Sequence, residues 1–149
     1  ANYGSAKAGM VGLMNVAKLE GAKYNVMVNC IAPAAATRMT LPLMDEQRAH
    51  AMRPELVAPA VTYLASPNCT ESGIIIEAAG GRFNRCSFVR NKALQADPDS
   101  LDADWVETNW AKITDLAGAE PMWNIAQTRR QHEEEVRSGQ AATRPGSII

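Results

Sequence analysis

The chain has 149 residues, 46% of them hydrophobic, and its 15 basic and 16 acidic residues give a formal net charge of −1. This composition is that of one globular domain and excludes collagen, coiled coil and intrinsic disorder. The charge balance gives no electrostatic footprint for nucleic acid or an anionic membrane, and no apolar run approaches the roughly 20 residues that span a bilayer.

The first predicted element is a helix over residues 2–22, rich in Ala, Met and Leu. Small residues recur along it at every fourth position, Gly4, Ala8 and Gly12, which lets another backbone come close. A second set repeats at helical spacing and is expected to form a buried apolar stripe. Its members are Ala6, Met10, Leu13, Met14 and Ala17.

After this helix, strand and helix patterns alternate, as is typical of a parallel α/β sheet. Only two strands are predicted, and two parallel strands do not make a stable sheet. We therefore expect that the chain borrows a sheet from another polypeptide, pairs with copies of itself or is a fragment. The predicted elements are a strand over residues 25–31 ended by Pro33, a loop over 34–39, helices over 40–52 and 55–65, and a strand over 74–77 closed by Gly80 and Gly81.

The composition changes after Gly81, so we predict one domain over residues 1–81 and a helical C-terminal extension over residues 82–149. Residues 82–92 are basic with two interleaved phenylalanines, and we interpret them as a solvated or interface segment; contact with the phosphates of a CoA-type substrate is the alternative. The extension is predicted to contain a helix over 101–116 with Ser100 as its N-cap and a polar helix over 121–137.

Three cysteines, Cys30, Cys69 and Cys86, are odd in number and lack the close pairing of a zinc site. We therefore expect no disulfide framework, no metal and a reducing compartment, either the cytoplasm or another intracellular one. We interpret His50 and His132 as surface residues, because neither has a carboxylate or cysteine partner at metal-ligand spacing. The sequence starts at Ala1 without an initiator Met or a signal peptide, which indicates a chain whose beginning lies elsewhere.

Tyr3 and Lys7 lie four residues apart at the start of the first helix, so their side chains leave the same face. A phenol is a poor base at neutral pH, and a lysine ammonium beside it favours the phenolate form that general-base work on an alcohol requires. A surface pair with no role is the alternative, because this spacing also arises by chance.

The surrounding sequence resembles the short-chain dehydrogenase/reductase family. The family motif Y-x-x-[SA]-K matches YGSAK at residues 3–7, and the later motif N-x-[IV]-x-P-G-x-x-x-T resembles NCIAPAAAT at residues 29–37, in which Thr37 comes one position before the motif's Thr. Ala34 stands where most of the family has Gly, which restricts the loop but removes no catalytic group. Other segments of the sequence are similar to the 3-hydroxyacyl-CoA dehydrogenase branch of the family, which includes the dehydrogenase part of a peroxisomal multifunctional enzyme. The resemblance implies the C-terminal half of a Rossmann-type α/β fold.

The resemblance also implies roles for particular residues. Tyr3 would be the acid/base that exchanges a proton with the substrate oxygen, and Lys7 would assist it and bind the nicotinamide ribose. Ile31 and Thr37 would contact the nicotinamide carboxamide through backbone and hydroxyl, and Pro33 would end the strand so that the loop overhangs the cofactor. Alternatives that involve no cofactor remain for two positions: Thr37 as the N-cap of the following helix and Asn29 as a buried, satisfied amide.

The implied activity is oxidation of a secondary alcohol, with a 3-hydroxyacyl-CoA as the expected substrate and NAD as cofactor; NADP stays open. The Gly-rich phosphate turn and the catalytic Ser of the family have no counterpart in this sequence, so NAD binding by this chain alone is in doubt. The alternatives are an inert segment that folds by self-association and a reductase of the same family acting on another ketone. The expected partners are a small-molecule substrate and further copies of the chain, joined through the first helix or a sheet edge; for the small-residue strip, packing on the chain's own sheet is the competing interpretation.

Overall fold

The computed structural model describes residues 1–122 and, beyond them, residues 130, 133, 134, 136 and 137. The chain divides into two compact units, Ala1–Ser87 and Phe88–Ile149. The first unit contains α1 (Asn2–Gly21), β1 (Cys30–Ala34), α2 (Glu46–Ala51), α3 (Ala58–Leu64), β2 (Ile75–Ala79) and β3 (Arg82–Cys86), with 3₁₀ turns at Ala22–Tyr24, Leu41–Leu43 and Pro54–Leu56. The second unit contains β4 (Val89–Arg90), α4 (Ala103–Thr114) and β5 (Glu120–Pro121).

The first unit is built on a sheet of order β1-β2-β3 in the described part of the chain. β1 and β2 are parallel, with Cys30 opposite Ile75, and this pairing confirms the α/β prediction. β3 is a strand that the sequence did not predict, because it falls in the basic segment over residues 82–92. It returns antiparallel to β2 after a turn in which Gly80 and Gly81 have φ angles of 54° and 76°, a region that favours glycine.

β1 begins later than predicted and includes Pro33, so the prediction that Pro33 ends the strand is wrong. Pro33 lies opposite Ala78 in the parallel pair. No described strand pairs with the other edge of β1, and an edge strand tolerates a residue that has no N–H to donate. The first part of the predicted strand is irregular because the chain turns at Asn25, whose φ is 57°.

The core of the first unit is small, and its buried apolar side chains include Met14, Ile74 and Ala78. Within α1, Met14 and Lys18 are buried, whereas Met10 and Leu13 are 53% and 61% exposed. The predicted buried stripe on this helix is therefore largely wrong: the stripe faces solvent over most of its length. Desolvation by burial lowers the pKa of Lys18.

The helices between the two parallel strands are shorter than predicted. The segment over residues 40–52 forms the turn Leu41–Leu43 and then α2, whose N-cap Asp45 accepts a hydrogen bond from the Arg48 N–H at 2.7 Å. Pro54 begins the turn Pro54–Leu56, and α3 follows it. Proline fits these first positions because its missing N–H has no intrahelical partner there in any case.

In the second unit, β4 and β5 pair antiparallel. α4 begins after Asp102, whose carboxylate accepts from the Trp105 N–H at 2.8 Å, so the predicted cap at Ser100 is wrong by two residues. At the other end of α4, the Asn91 amide donates to the carbonyls of Ile113 and Asp115. Most of the predicted helix over residues 121–137, with His132, lies outside the described residues. Of the helices in the described ranges, none is long and apolar enough to cross a membrane.

Candidate functional site

The Tyr3 and Lys7 side chains come together on the first turns of α1. Lys7 Nζ lies 5.5 Å from the centroid of the Tyr3 ring, within the range of a cation–π contact. Tyr3 is 70% exposed and Lys7 is also exposed. The arrangement leaves the phenol open to a small molecule and keeps a positive charge beside it.

Two contacts fix the direction of α1 relative to β1. The Cys30 thiol reaches the Met10 carbonyl, with Sγ 3.8 Å from the oxygen, and Lys18 packs against Gly73, whose N–H donates to Val28. Lys18, late in α1, is thus close to Val28, whereas Met10, earlier in α1, is close to Cys30. The chain therefore runs in opposite directions in α1 and β1.

This direction brings Tyr3 to the carboxyl end of β1. Tyr3 lies seven residues before Met10, about 10 Å along a helix axis, and Pro33 lies three residues after Cys30, about 10 Å along a strand. The acid/base candidate and the end of the strand are therefore level along the strand axis. The carboxyl ends of parallel strands are where ligands bind in open α/β sheets.

An open apolar groove of about 610 Å³ lies at this end of β1, between the loop that follows the strand and α3. Thr37 and Thr62 supply its hydroxyl groups, and the rest of its surface comes from proline, alanine and valine side chains. The lining residues are Pro33, Ala35, Thr37, Pro54, Val57, Ala58, Val61, Thr62 and Ala65. Two residues predicted to bind cofactor, Pro33 and Thr37, are thus on one surface.

Thr37 sits in a loop with a dense set of hydrogen bonds. Its carbonyl accepts from the N–H groups of Thr40 and Leu41 at 2.9 and 2.8 Å, and its own N–H donates to Thr40 Oγ1 at 2.8 Å. Thr40 occupies the N-cap position of the turn Leu41–Leu43, without a capping bond from its side chain, and Asp45 is the N-cap of α2, so the alternative role of Thr37 as an N-cap is not observed. Its side chain stays exposed on the groove wall.

Ile31 and Asn29 lie away from this groove. Ile31 is half-buried in β1 opposite Ile76 and does not line the groove. The Asn29 amide donates to the Glu71 carbonyl at 2.9 Å and accepts from the Ile74 N–H at 3.1 Å. Both ends of this amide are satisfied, as the alternative interpretation of Asn29 predicts, but the residue is half-buried and not buried.

Thr40, whose hydroxyl holds the loop, is not among the predicted site residues. A hydroxyl residue shortly before a helix often bonds to nearby backbone groups, and that signal was present in the sequence. His50 is exposed, as expected of a surface residue. Among the described residues, no group of three or more His, Cys, Asp or Glu side chains could hold a metal ion.

Comparison with known proteins connects this geometry to a family. The chain is 42% identical over 118 residues to a short-chain type dehydrogenase/reductase of Mycobacterium tuberculosis, covering 79% of this chain and 41% of that protein. It superposes on the full-length peroxisomal multifunctional enzyme type 2 of Drosophila melanogaster with a TM-score of 0.79 and 30% identity, covering 92% of this chain and 25% of the other. It is also 37% identical over 76 residues to an acetoacetyl-CoA reductase of Synechocystis, covering 44% of this chain and 32% of that enzyme.

The chain spans less than half of the length of each of these proteins. No known protein-family profile matches it.

Proposed function

Because the chain is a relative of the short-chain dehydrogenases/reductases along most of its length, we propose that it carries the acid/base part of an oxidoreductase that interconverts a secondary alcohol and a ketone. The observation that supports this proposal is the Tyr3–Lys7 pair, with the ammonium 5.5 Å from the ring centroid, at the end of α1 that lies level with the carboxyl end of β1.

In this proposal the Tyr3 hydroxyl exchanges a proton with the oxygen of the substrate. Oxidation of an alcohol removes a proton from oxygen and a hydride from carbon, and the nicotinamide cofactor supplies the acceptor for the hydride. The Lys7 ammonium lies beside the Tyr3 ring, and the phenolate form of a tyrosine is the form that accepts an alcohol proton. In the reverse direction the protonated phenol donates to the developing alkoxide.

The described residues fit the nicotinamide end of such a cofactor. Thr37 presents a hydroxyl on the groove wall beside an otherwise apolar surface, and Pro33 borders the same groove. Ile31 would contact the nicotinamide carboxamide through its backbone, and Lys7 would bind the nicotinamide ribose. The pyrophosphate end is not matched, because Gly80 and Gly81 form the hairpin turn between β2 and β3 rather than a turn between a strand and a helix. NAD is the proposed cofactor, with NADP as the alternative.

A 3-hydroxyacyl-CoA is the substrate class that we propose. Similarity to an acetoacetyl-CoA reductase supports an acyl-thioester substrate, and the apolar side chains of Pro54, Val57 and Val61 give the groove a surface suited to a hydrocarbon chain. A reductase acting on another ketone would use the same Tyr3 and Lys7 and differ in the groove.

The chain contains a matched control for the acid/base assignment. Tyr24 is 71% exposed, and Lys23 Nζ lies 4.8 Å from its ring centroid, so it reproduces the exposure and the charged neighbour of Tyr3 beyond the opposite end of α1. With 3-hydroxybutyryl-CoA and NAD, we expect Tyr3→Phe to lower the rate at least about 100-fold and Tyr24→Phe to leave it unchanged. Equal rates for wild type and Tyr3→Phe would refute the assignment.

A thermal melt with NAD tests the cofactor part of the proposal separately. Binding to the folded state raises the melting temperature by mass action. No shift at millimolar NAD, together with no turnover of the acyl-CoA, would show that this chain does not act as the oxidoreductase.

Self-association is a second proposed property, favoured by the exposed face of α1. Met10, Leu13 and Val16 are each more than half exposed, and a Cβ added at Gly4 or Gly12 would meet nothing within 4 Å in the described structure. Within the part of the chain that the structure describes, the strip formed by Gly4, Ala8 and Gly12 therefore does not pack on the sheet. Pairing through α1 or through the edge of β1 would cover these groups, and sedimentation at several concentrations tests it: a well-folded monomer throughout contradicts the proposal.

A further inference from the structure

The hydroxyl of Thr40 is the hydrogen-bonding centre of the loop that carries Thr37. Thr40 Oγ1 donates to the Ala35 carbonyl at 2.8 Å and accepts from the Thr37 N–H at 2.8 Å. Thr37 Oγ1 lies 3.4 Å from the same oxygen. Thr40 is half-buried, whereas Thr37 is exposed on the groove wall.

Counting protons and lone pairs fixes the direction of the contact between the two hydroxyls. A threonine hydroxyl has one proton to donate and two lone pairs that accept. The Thr40 hydroxyl donates its proton to the Ala35 carbonyl at 2.8 Å. One of its two lone pairs accepts the hydrogen bond from the Thr37 N–H. One lone pair of Thr40 is left for Thr37 Oγ1, 3.4 Å away, and by this count Thr37 is the donor in the hydroxyl–hydroxyl contact.

A Thr37 hydroxyl that donates inward has its own lone pairs left for the groove. It is then an acceptor toward any ligand there and prefers a ligand N–H over a ligand carbonyl. A carboxamide has a C=O and an NH₂ group in the same plane. If the Thr37 hydroxyl accepts a hydrogen bond, the carboxamide turns its NH₂ group toward Thr37. The direction of the Thr40 proton thereby determines which end of a carboxamide faces Thr37.

We infer that Thr40 is a positioning residue, which makes the Thr37 hydroxyl an acceptor for the amide N–H of a nicotinamide carboxamide. The inference rests on the proposed function and adds to it the orientation of the carboxamide. It assigns no role in proton or hydride transfer to Thr40 itself.

The loop has other supports that allow this role to be separated from folding. The Ala36 N–H donates to the Met52 carbonyl at 2.7 Å, and the Thr37 carbonyl accepts from two backbone N–H groups. These bonds do not involve the Thr40 hydroxyl. Thr40→Val, which has nearly the shape of threonine, removes the hydroxyl and leaves them in place.

The test compares the dissociation constants of NAD and its 3-acetylpyridine analogue, in which an acetyl group replaces the carboxamide and keeps the carbonyl but has no N–H. We expect wild type to prefer NAD roughly tenfold, the loss of one hydrogen bond to an acceptor. Thr40→Ser keeps the hydroxyl and the preference. In Thr40→Val the Thr37 proton loses its acceptor and turns to the ligand carbonyl that both dinucleotides carry, so the ratio falls to within about twofold of unity.

Thr62→Val is the matched control, because Thr62 lines the same groove but donates to the Ala58 carbonyl within its own helix at 3.0 Å. It should keep the wild-type ratio. Equal binding of the two dinucleotides by wild type, or an unchanged ratio in Thr40→Val, overturns the inference and leaves the proposed function standing. Binding of neither dinucleotide by wild type overturns both. Amide hydrogen exchange across β1 and β2 confirms in each case that the variant is folded.

Discussion

Replacing Asn29 with alanine tests what holds the start of β1 against the segment before β2. The Asn29 amide bridges the two, with Nδ2 2.9 Å from the Glu71 carbonyl and Oδ1 3.1 Å from the Ile74 nitrogen. Ile74 is buried. If the surrounding residues keep their positions, removing the Asn29 amide leaves the Ile74 N–H without a hydrogen-bond acceptor. The change should therefore lower the free energy of unfolding.

The expected loss follows from the two hydrogen bonds. Each is worth about 1 kcal/mol net, and leaving a buried donor unsatisfied costs about 1–3 kcal/mol. The bond to Glu71 is exposed, so water replaces much of it; the bond to Ile74 is part-buried and carries most of the effect. We expect Asn29→Ala to lower the free energy of unfolding by about 2 kcal/mol.

Urea unfolding followed by circular dichroism measures this loss, with Asn84→Ala as the matched control. Asn84 lies in the same sheet and donates to the Glu77 carboxylate at 3.1 Å, but the contact is exposed on the β2–β3 face, so its removal should cost less than about 0.5 kcal/mol. If the two variants lose the same free energy, the amide bridge does not hold the strands as argued.

Three further predictions concern a cap, a buried amine and the thiols. Asp102→Ala should lower the helicity and stability of α4 by about 1 kcal/mol, while Ser100→Ala should change neither; circular dichroism that ranks them the other way contradicts the observed cap. Burial lowers the pKa of Lys18, so the folded state releases this proton before the unfolded state does, and stability relative to Lys18→Met should rise as pH increases through the lowered folded pKa toward 10.5, the ordinary value. Denaturant titrations from pH 7 upward measure this difference, and a difference that stays flat contradicts it. Cys86 is exposed, whereas burial raises the pKa of the Cys30 thiol, so mass spectrometry after brief alkylation should find Cys86 modified first; equal rates would contradict this order.

The elements with a strong local signal were predictable. The first helix follows from its composition and ends within a residue or two of the expected position. The Tyr3–Lys7 contact follows from helical spacing. The two parallel strands were recognised from their apolar, β-branched runs, although each begins later than the run does.

The remaining features depend on tertiary contacts that no local pattern contains. Pro33 ends a strand by local rules but is tolerated in β1, since its missing N–H leaves the pairing with β2 intact. Residues 82–86 have a polar, basic composition and become β3 because the turn at Gly80 and Gly81 returns them to β2. The apolar stripe of α1 follows the helical period, yet the described residues do not cover Met10 or Leu13.

The spacing of the two sequence motifs has a physical basis in the lengths of α1 and of the segment that follows it. A helix of 20 residues carries the chain about 30 Å away from Tyr3. The segment from 25 to 34 runs back beside the helix: residues 26–29 are irregular, and Cys30–Ala34 form β1. Because α1 and β1 are antiparallel, the Tyr3 phenol and the Thr37 hydroxyl, 34 positions apart in sequence, come toward the same end of the sheet. The length of α1 therefore determines how far along the sheet the proposed acid/base residue Tyr3 lies.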